Sequence, residues 1–247
     1  MARCLLADGR CGRLDRPCRS GQCIARTVRK LQDRSWRDKL GLFLAEGEDL
    51  VTAAQAAGVE PVELLVAGEN VEPALLAEVA TLAHPPRMIG VFRREDLPHS
   101  PLPDAGLALW HVGDPGNVGT LVRAADALGP AFVATSEGTA DPTGPKALRG
   151  SMGALFRVPF VGFDDAPGRR IALVARGGRP LEALDFSGPT TFVLGAEREG
   201  LPEEVLLRCE ERATIPLAAD ADSLNVALAG AIALYELSRK RRETSTS

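Results

Sequence analysis

Aromatic residues are scarce in this sequence, at 4% of the chain. Rows of stacking rings that grip single-stranded nucleic acid are therefore not expected. A nucleic-acid partner would have to be recognised by charge, shape and backbone contacts. Long apolar runs are also missing, and none nears the roughly 18 residues that span a bilayer. The stretch from Leu224 to Leu237 is apolar but ends in Arg239, Lys240, Arg241 and Arg242, so it reads as a buried C-terminal helix. The first residues lack a secretory pattern. A cytoplasmic location with no membrane partner is the resulting expectation.

Metal-binding and disulfide signals are equally thin. Cys4, Cys11, Cys18 and Cys23 lie too far apart for a CxxC knuckle, and no histidine stands among them. With Cys209 the total is odd, which argues against a disulfide framework, and no metal is expected. His84, His99 and His111 stand singly in strand or linker contexts and receive no role. A basic excess is lacking too, since the net charge is −4. Its distribution is uneven, with a balance of +7 over residues 1–39 and −8 over residues 40–110. Arg26, Arg29, Lys30, Arg34 and Arg37 make an N-terminal basic segment on an acidic body. Such a segment is either a solvated helix face or a patch that steers RNA to one side.

What the chain does have is alternation of apolar strands and helices. Residues 1–23 show no helix or strand period and read as a disordered leader or as an extension upstream of the true start. Residues 24–96 read as a small α/β unit, with one helix from Ile24 to about Gly41 and strands near 42–45, 62–66 and 87–90. Three prolines between Pro98 and Pro103 mark a linker over 97–106. Residues 107–242 alternate near-continuous apolar strands with helices, the pattern of a parallel sheet covered on both faces. A short tail, 243–247, follows.

In open α/β sheets ligands bind beyond the carboxyl ends of the strands, and three loops there are unusual. The first, Val112-Gly113-Asp114-Pro115-Gly116-Asn117, turns a strand into a helix. Asn117 stands where a cap belongs, and Arg123 follows two turns into an otherwise apolar helix. The second, Leu194-Gly195-Ala196-Glu197-Arg198-Glu199-Gly200, brackets a charged turn with glycines, and Gly195 permits close approach to the backbone. The third runs from Ile215 and Leu217 to Ser223, Leu224 and Asn225. Ser223 is a natural helix cap, and Asn225, two residues on, cannot face the same way. Taken alone, each loop has an ordinary structural explanation.

Together the three stretches resemble the signature motifs of the SpoU (TrmH) family in the SPOUT class of methyltransferases, in matching order and spacing. Lys146-Ala147-Leu148-Arg149-Gly150-Ser151-Met152-Gly153 is similar to a segment these enzymes carry between the first two motifs. Leu44-Ala45-Glu46-Gly47 looks like the start of the family's N-terminal substrate-binding domain. The resemblance implies a C-terminal SPOUT domain with a parallel sheet and a deep trefoil knot, an exception to the rule against knots. It also implies S-adenosylmethionine as methyl donor, a structured RNA as partner, ribosomal before transfer RNA, and a homodimer. The activity it implies is methylation of a ribose 2′-hydroxyl. The implied cofactor-binding positions are Gly195, Ile215, Leu217, Leu224 and Ser151. The implied catalytic positions are Arg123, Asn117, Glu197, Ser223 and Asn225, with Glu197 orienting Arg123. Arg123 would act either as base or as stabiliser of the oxyanion. Two rivals stand beside this reading. A Rossmann-type methyltransferase would need a GxGxG-like turn after its first strand, which Gly-Asp-Pro-Gly-Asn does not supply. A non-catalytic RNA-binding or ribosome-assembly protein would keep the fold without the activity.

Overall fold

The structure, a computed structural model, describes residues 21–82, 84–218 and 223–245. Most of the segment expected as a leader, with Cys4, Cys11 and Cys18, lies outside the described residues, as does the end of the tail.

The mix of basic and apolar residues from Ile24 to Gly41 reads as one helix, yet the chain forms two, α1 (Gly21–Leu31) and α2 (Arg34–Leu40). The break comes from Asp33, whose carboxylate accepts from the Ser35 N–H at 2.9 Å and caps α2. Gly41, at φ 63°, ends that helix in the left-handed region. Then follow β1 (Leu42–Glu46), α3 (Glu48–Ala56), β2 (Glu63–Val66), α4 (Pro73–Val79) and β3 (Met88–Arg93). The three strands make an antiparallel sheet in the order β1-β3-β2.

The second unit carries β4 (Ala105–Leu109), α5 (Pro115–Leu128), β5 (Phe132–Thr135), α6 (Pro145–Ser151), β6 (Phe160–Gly162) and β7 (Arg169–Leu173). It continues with β8 (Arg179–Pro180), β9 (Thr190–Leu194), α7 (Glu203–Leu206), β10 (Glu211–Thr214) and α8 (Val226–Ser245). The seven strands are parallel, in the order β6-β5-β4-β9-β7-β10-β8. Every residue of β4 and β9 is buried, as the unbroken apolar runs require of strands covered on both faces. Helix α5 packs tightly on α6, because Gly119 has no side chain. A Cβ there would stand 2.3 Å from the Ala147 carbonyl oxygen.

The two units share a core. Phe43 of β1 and Phe92 of β3 meet Phe156 of the second unit, with ring centroids 6.0 and 5.3 Å away. Polar staples flank this contact. Arg37, expected among the RNA contacts, is buried at 4% exposure, and its Nε donates to Asp141 Oδ2 at 2.7 Å. Its Nη1 donates to the carbonyls of Leu31 and Gln32. Arg37 is therefore a cross-unit anchor, not an RNA contact. Arg94 donates to the same Asp141 oxygen at 2.7 Å and to Thr143 Oγ1 at 3.1 Å. On the other side, Thr81 Oγ1 bonds Glu46 and accepts from Arg149 of α6. The proline-rich stretch is pinned as well, since the Phe160 N–H donates to the Pro98 carbonyl at 3.1 Å.

Candidate active site

The carboxyl ends of β7, β9 and β10 open onto a cavity of about 460 Å³. This is a volume in the range of small-molecule sites, roughly 300–1,000 Å³. Its position follows the rule for open parallel sheets. The walls mix apolar side chains, among them Leu173, Leu194, Ile215, Leu217, Leu224 and Val226, with the carboxylates Glu197 and Glu199. Gly195 opens the charged turn directly after β9. A Cβ there would stand 2.3 Å from the Gly200 carbonyl carbon and oxygen, so only glycine lets the turn fold back on itself.

The three loops meet through their side chains. Asn117 Nδ2 donates to Glu197 Oε1 at 2.8 Å, and Asn225 Nδ2 donates to Asn117 Oδ1 at 3.1 Å. Asn225 Oδ1 accepts from the Ala227 N–H at 2.9 Å and so caps α8. One amide thus both starts the helix and reaches the site. The cap expected of Ser223 belongs to Asn225, and Ser223 lines the cavity.

The cap expected of Asn117 belongs to Asp114, whose Oδ1 accepts from the Gly116 and Asn117 N–H groups. Pro115 at the first helical position is the signal that marks Asp114 as the cap. Lys146 hydrogen-bonds the other Asp114 oxygen at 2.9 Å. That bond, with the backbone donors, holds the Asp114 carboxyl below its ordinary range.

Of the positions implied by the resemblance, Gly195, Glu197, Ile215, Leu217, Ser223, Leu224 and Asn225 all line the cavity, and Asn117 is tied to its rim. Ser151 is not among the lining residues. It is buried at the end of α6, where its Oγ donates to the Leu148 carbonyl at 2.7 Å, so it is withdrawn from the ligand set. Arg123 does not line the cavity either. It is exposed on α5 and makes no hydrogen bond or ion pair among the described residues. Within this chain Glu197 Oε1 accepts from Asn117, and Glu197 and Arg123 are not joined by a hydrogen bond or ion pair. Sequence reasoning missed Leu173, Val174 and Ala175 at the end of β7. The strand-end rule that exposed the other loops would have found them. Among the described residues, no group of histidine, cysteine and acidic side chains could hold a metal.

A family model, the SpoU rRNA Methylase family, matches residues 105–235. That is more than half of the sequence.

The chain belongs to the SpoU rRNA methylase family.

A second model, the MRM3-like substrate binding domain, matches residues 24–93. The chain is 32% identical to the 23S rRNA (guanosine(2553)-2′-O)-methyltransferase RlmP of Bacillus subtilis, over 85% of this chain and 93% of that one. It is 30% identical to an uncharacterized tRNA/rRNA methyltransferase of Synechocystis sp., over 90% and 93% of the two chains. Its fold matches the crystal structure of an AdoMet-bound rRNA methyltransferase from Sinorhizobium meliloti with a TM-score of 0.78 and 28% identity. That alignment covers 88% of this chain and 94% of that one. The SpoU assignment removes the Rossmann-type rival. The parallel sheet and its N-terminal companion are those of the family's solved members.

Proposed function

We propose that the protein transfers a methyl group from S-adenosylmethionine to a ribose 2′-hydroxyl of ribosomal RNA. The carrying observation is the chain of hydrogen bonds from Asn225 through Asn117 to Glu197, which joins all three loops at the mouth of one cavity. The cavity fits the donor. Its apolar wall suits a nucleoside, and the carboxylates of Glu197 and Glu199 suit a cationic group. Gly195, Ile215, Leu217 and Leu224 would hold it. When bound, S-adenosylmethionine supplies an electrophilic methyl on a sulfonium, so no metal is needed to activate it. The chain must supply position and charge. Asn117, Ser223 and Asn225 fix the loops and the ribose, and Glu197 keeps Asn117 in place.

Arg123 is assigned to the substrate phosphate and to the negative charge that develops on the 2′-oxygen. A guanidinium with a pKa above about 12 is a poor base but a good stabiliser of an oxyanion. In its own chain Arg123 is exposed on α5 and does not line the cavity. We assign it to the cavity of a second copy. Helix α8, which packs beside α5, exposes Leu228, Ile232 and Tyr235, an apolar stripe at i, i+4 and i+7. That stripe is the proposed homodimer face. Replacing Ile232 and Tyr235 with lysine is expected to yield monomers by analytical ultracentrifugation and to abolish transfer. Dimers with full activity would sink this assignment. The trefoil knot is inferred with the family fold.

Arg26 and Arg29 are exposed on α1, Arg29 pairing with Glu78, and Lys30 lies 4.0 Å over the Trp36 ring. These three are the proposed RNA contacts of the first unit. Arg34 is partly spent on the Thr139 carbonyl, at 3.0 Å, and Arg37 is excluded by burial.

The reading is tested by incubating the protein with S-adenosylmethionine and unmodified 23S rRNA and digesting the product to nucleosides. A 2′-O-methyl nucleoside is expected, and a base-methylated one would refute the reading. Calorimetry tests the cavity separately. Gly195→Val, which forces the turn open, is expected to weaken S-adenosylmethionine binding at least tenfold, with α5 and α8 still folded by circular dichroism. Unchanged affinity would remove the cavity from the account.

A further inference from the structure

On the loop after β4 a half-buried indole carries an exposed imidazole, and the pair has no part in the assignments above. His111 follows β4 with φ 51°, a left-handed backbone uncommon outside glycine, in which asparagine, aspartate and histidine are the usual exceptions. The strain is held by specific contacts. The His111 N–H donates to Ser136 Oγ at 3.0 Å. The imidazole lies on the Trp110 indole, with centroids 4.6 Å apart and an interplanar angle of 4°. Gly138 packs against the ring, where a Cβ would stand 3.2 Å from Cδ2. The Trp110 indole is in turn fixed edge-on against Phe163 at 5.1 Å.

Residues held in strained backbone by this many contacts cluster at functional sites. The location supplies the function. The Trp110 N–H donates to the Leu194 carbonyl at 2.8 Å, and the next residue, Gly195, lines the cavity. Six residues after His111, Asn117 bonds Glu197 at the rim. His111 remains exposed, and among the described residues neither ring nitrogen has a hydrogen-bond partner. The stacking on Trp110 uses only the face of the imidazole and leaves both nitrogens unused, and asparagine or glycine would take this backbone with less strain. The rigid ring thus offers polar atoms outward, on the end of the sheet where RNA must arrive for its ribose to meet the methyl donor.

We propose that His111 is an RNA-contacting residue, its imidazole edge hydrogen-bonding a nucleotide that flanks the methylated ribose, with Trp110, Ser136 and Gly138 holding it in position. The inference rests on the proposed ribose methylation. Wild-type transfer to 23S rRNA from a strain lacking the protein establishes that reading first, so failure of the two is distinguishable.

Two variants then test the contact. His111→Asn keeps the left-handed backbone and removes the ring, whereas His111→Phe keeps a ring against Trp110 and removes its nitrogens. Each is expected to raise the KM for this RNA about tenfold, the loss of one hydrogen bond at an interface. The kcat at saturating RNA, the affinity for S-adenosylmethionine and the melting temperature should stay at wild-type values. An RNA KM within twofold of wild type in either variant would overturn the proposal. So would a parallel loss of S-adenosylmethionine affinity, which would mark His111 as support for the cavity loops.

Discussion

Arg123→Ala is expected to slow single-turnover methyl transfer by about 10²- to 10³-fold, the usual cost of removing one charge-stabilising donor. Binding of S-adenosylmethionine should be unchanged, because Arg123 does not line the cavity of its own chain. Stability should be unchanged too, since Arg123 is exposed and makes no bond to other described residues. The assignment to a second copy adds a sharper expectation. Glu197→Ala damages the cavity, whereas Arg123→Ala damages what reaches into the partner's cavity. Each variant alone should be nearly inactive. In a mixture, dimers form in which one site has an intact cavity and an intact arginine, and transfer should return. Near-normal rates for Arg123→Ala would remove its role altogether. No recovery on mixing would place arginine and cavity in the same chain.

Asp141→Asn is expected to destabilise the fold by about 3–5 kcal/mol, because it leaves the buried Arg37 charge without a partner. For a chain of this size each kcal/mol corresponds to roughly 2–4 °C in melting temperature, so a drop of about 10 °C should be seen by calorimetry. Burial opposes the charged form of Asp141, but the Thr143 hydroxyl and the guanidiniums of Arg94 and Arg37 outweigh it and hold the carboxyl below its ordinary range. A carboxyl lowered by folding stabilises the fold above its unfolded pKa, near 3.9, and that contribution is lost as pH falls toward and through the folded value. The gap in melting temperature between wild type and Asp141→Asn should therefore be full at pH 7 and narrow below about pH 4. Since Asp141 ties the first unit to the catalytic sheet, the RNA KM should also rise, with S-adenosylmethionine affinity intact. A gap that does not change with pH would show that the charge on Asp141 is not what matters.

The sheet was legible because its strands are unbroken apolar runs, and the cavity was legible because its loops follow those strands. Periodicity did not show the break at Asp33, where a carboxylate accepting from a backbone N–H two residues on caps a second helix. It could not show β8 either, which is two residues long and held by pairing with β10. A tally of charge along the chain placed Arg37 with the solvent-facing basic residues. Its partner lies 104 positions away, and only the packed fold reveals the burial. Asp114 and Asn117 both had the chemistry of a cap, and proline between them decided in favour of Asp114. Ser151 carried a family resemblance but spends its hydroxyl on its own helix. His111 looked like a lone histidine because its meaning lies in a backbone angle and a neighbouring ring.

The central claim is most directly tested by transferring labelled methyl groups from S-adenosylmethionine to total RNA from two strains, one lacking the protein and its parent. The expected result is label in a single ribosomal RNA band from the deficient strain, mapping to one ribose, with little in the parent's RNA because that site is already methylated. Equal label in both RNAs, label in bases, or none in any band with mature RNA and assembly intermediates both supplied, would contradict it.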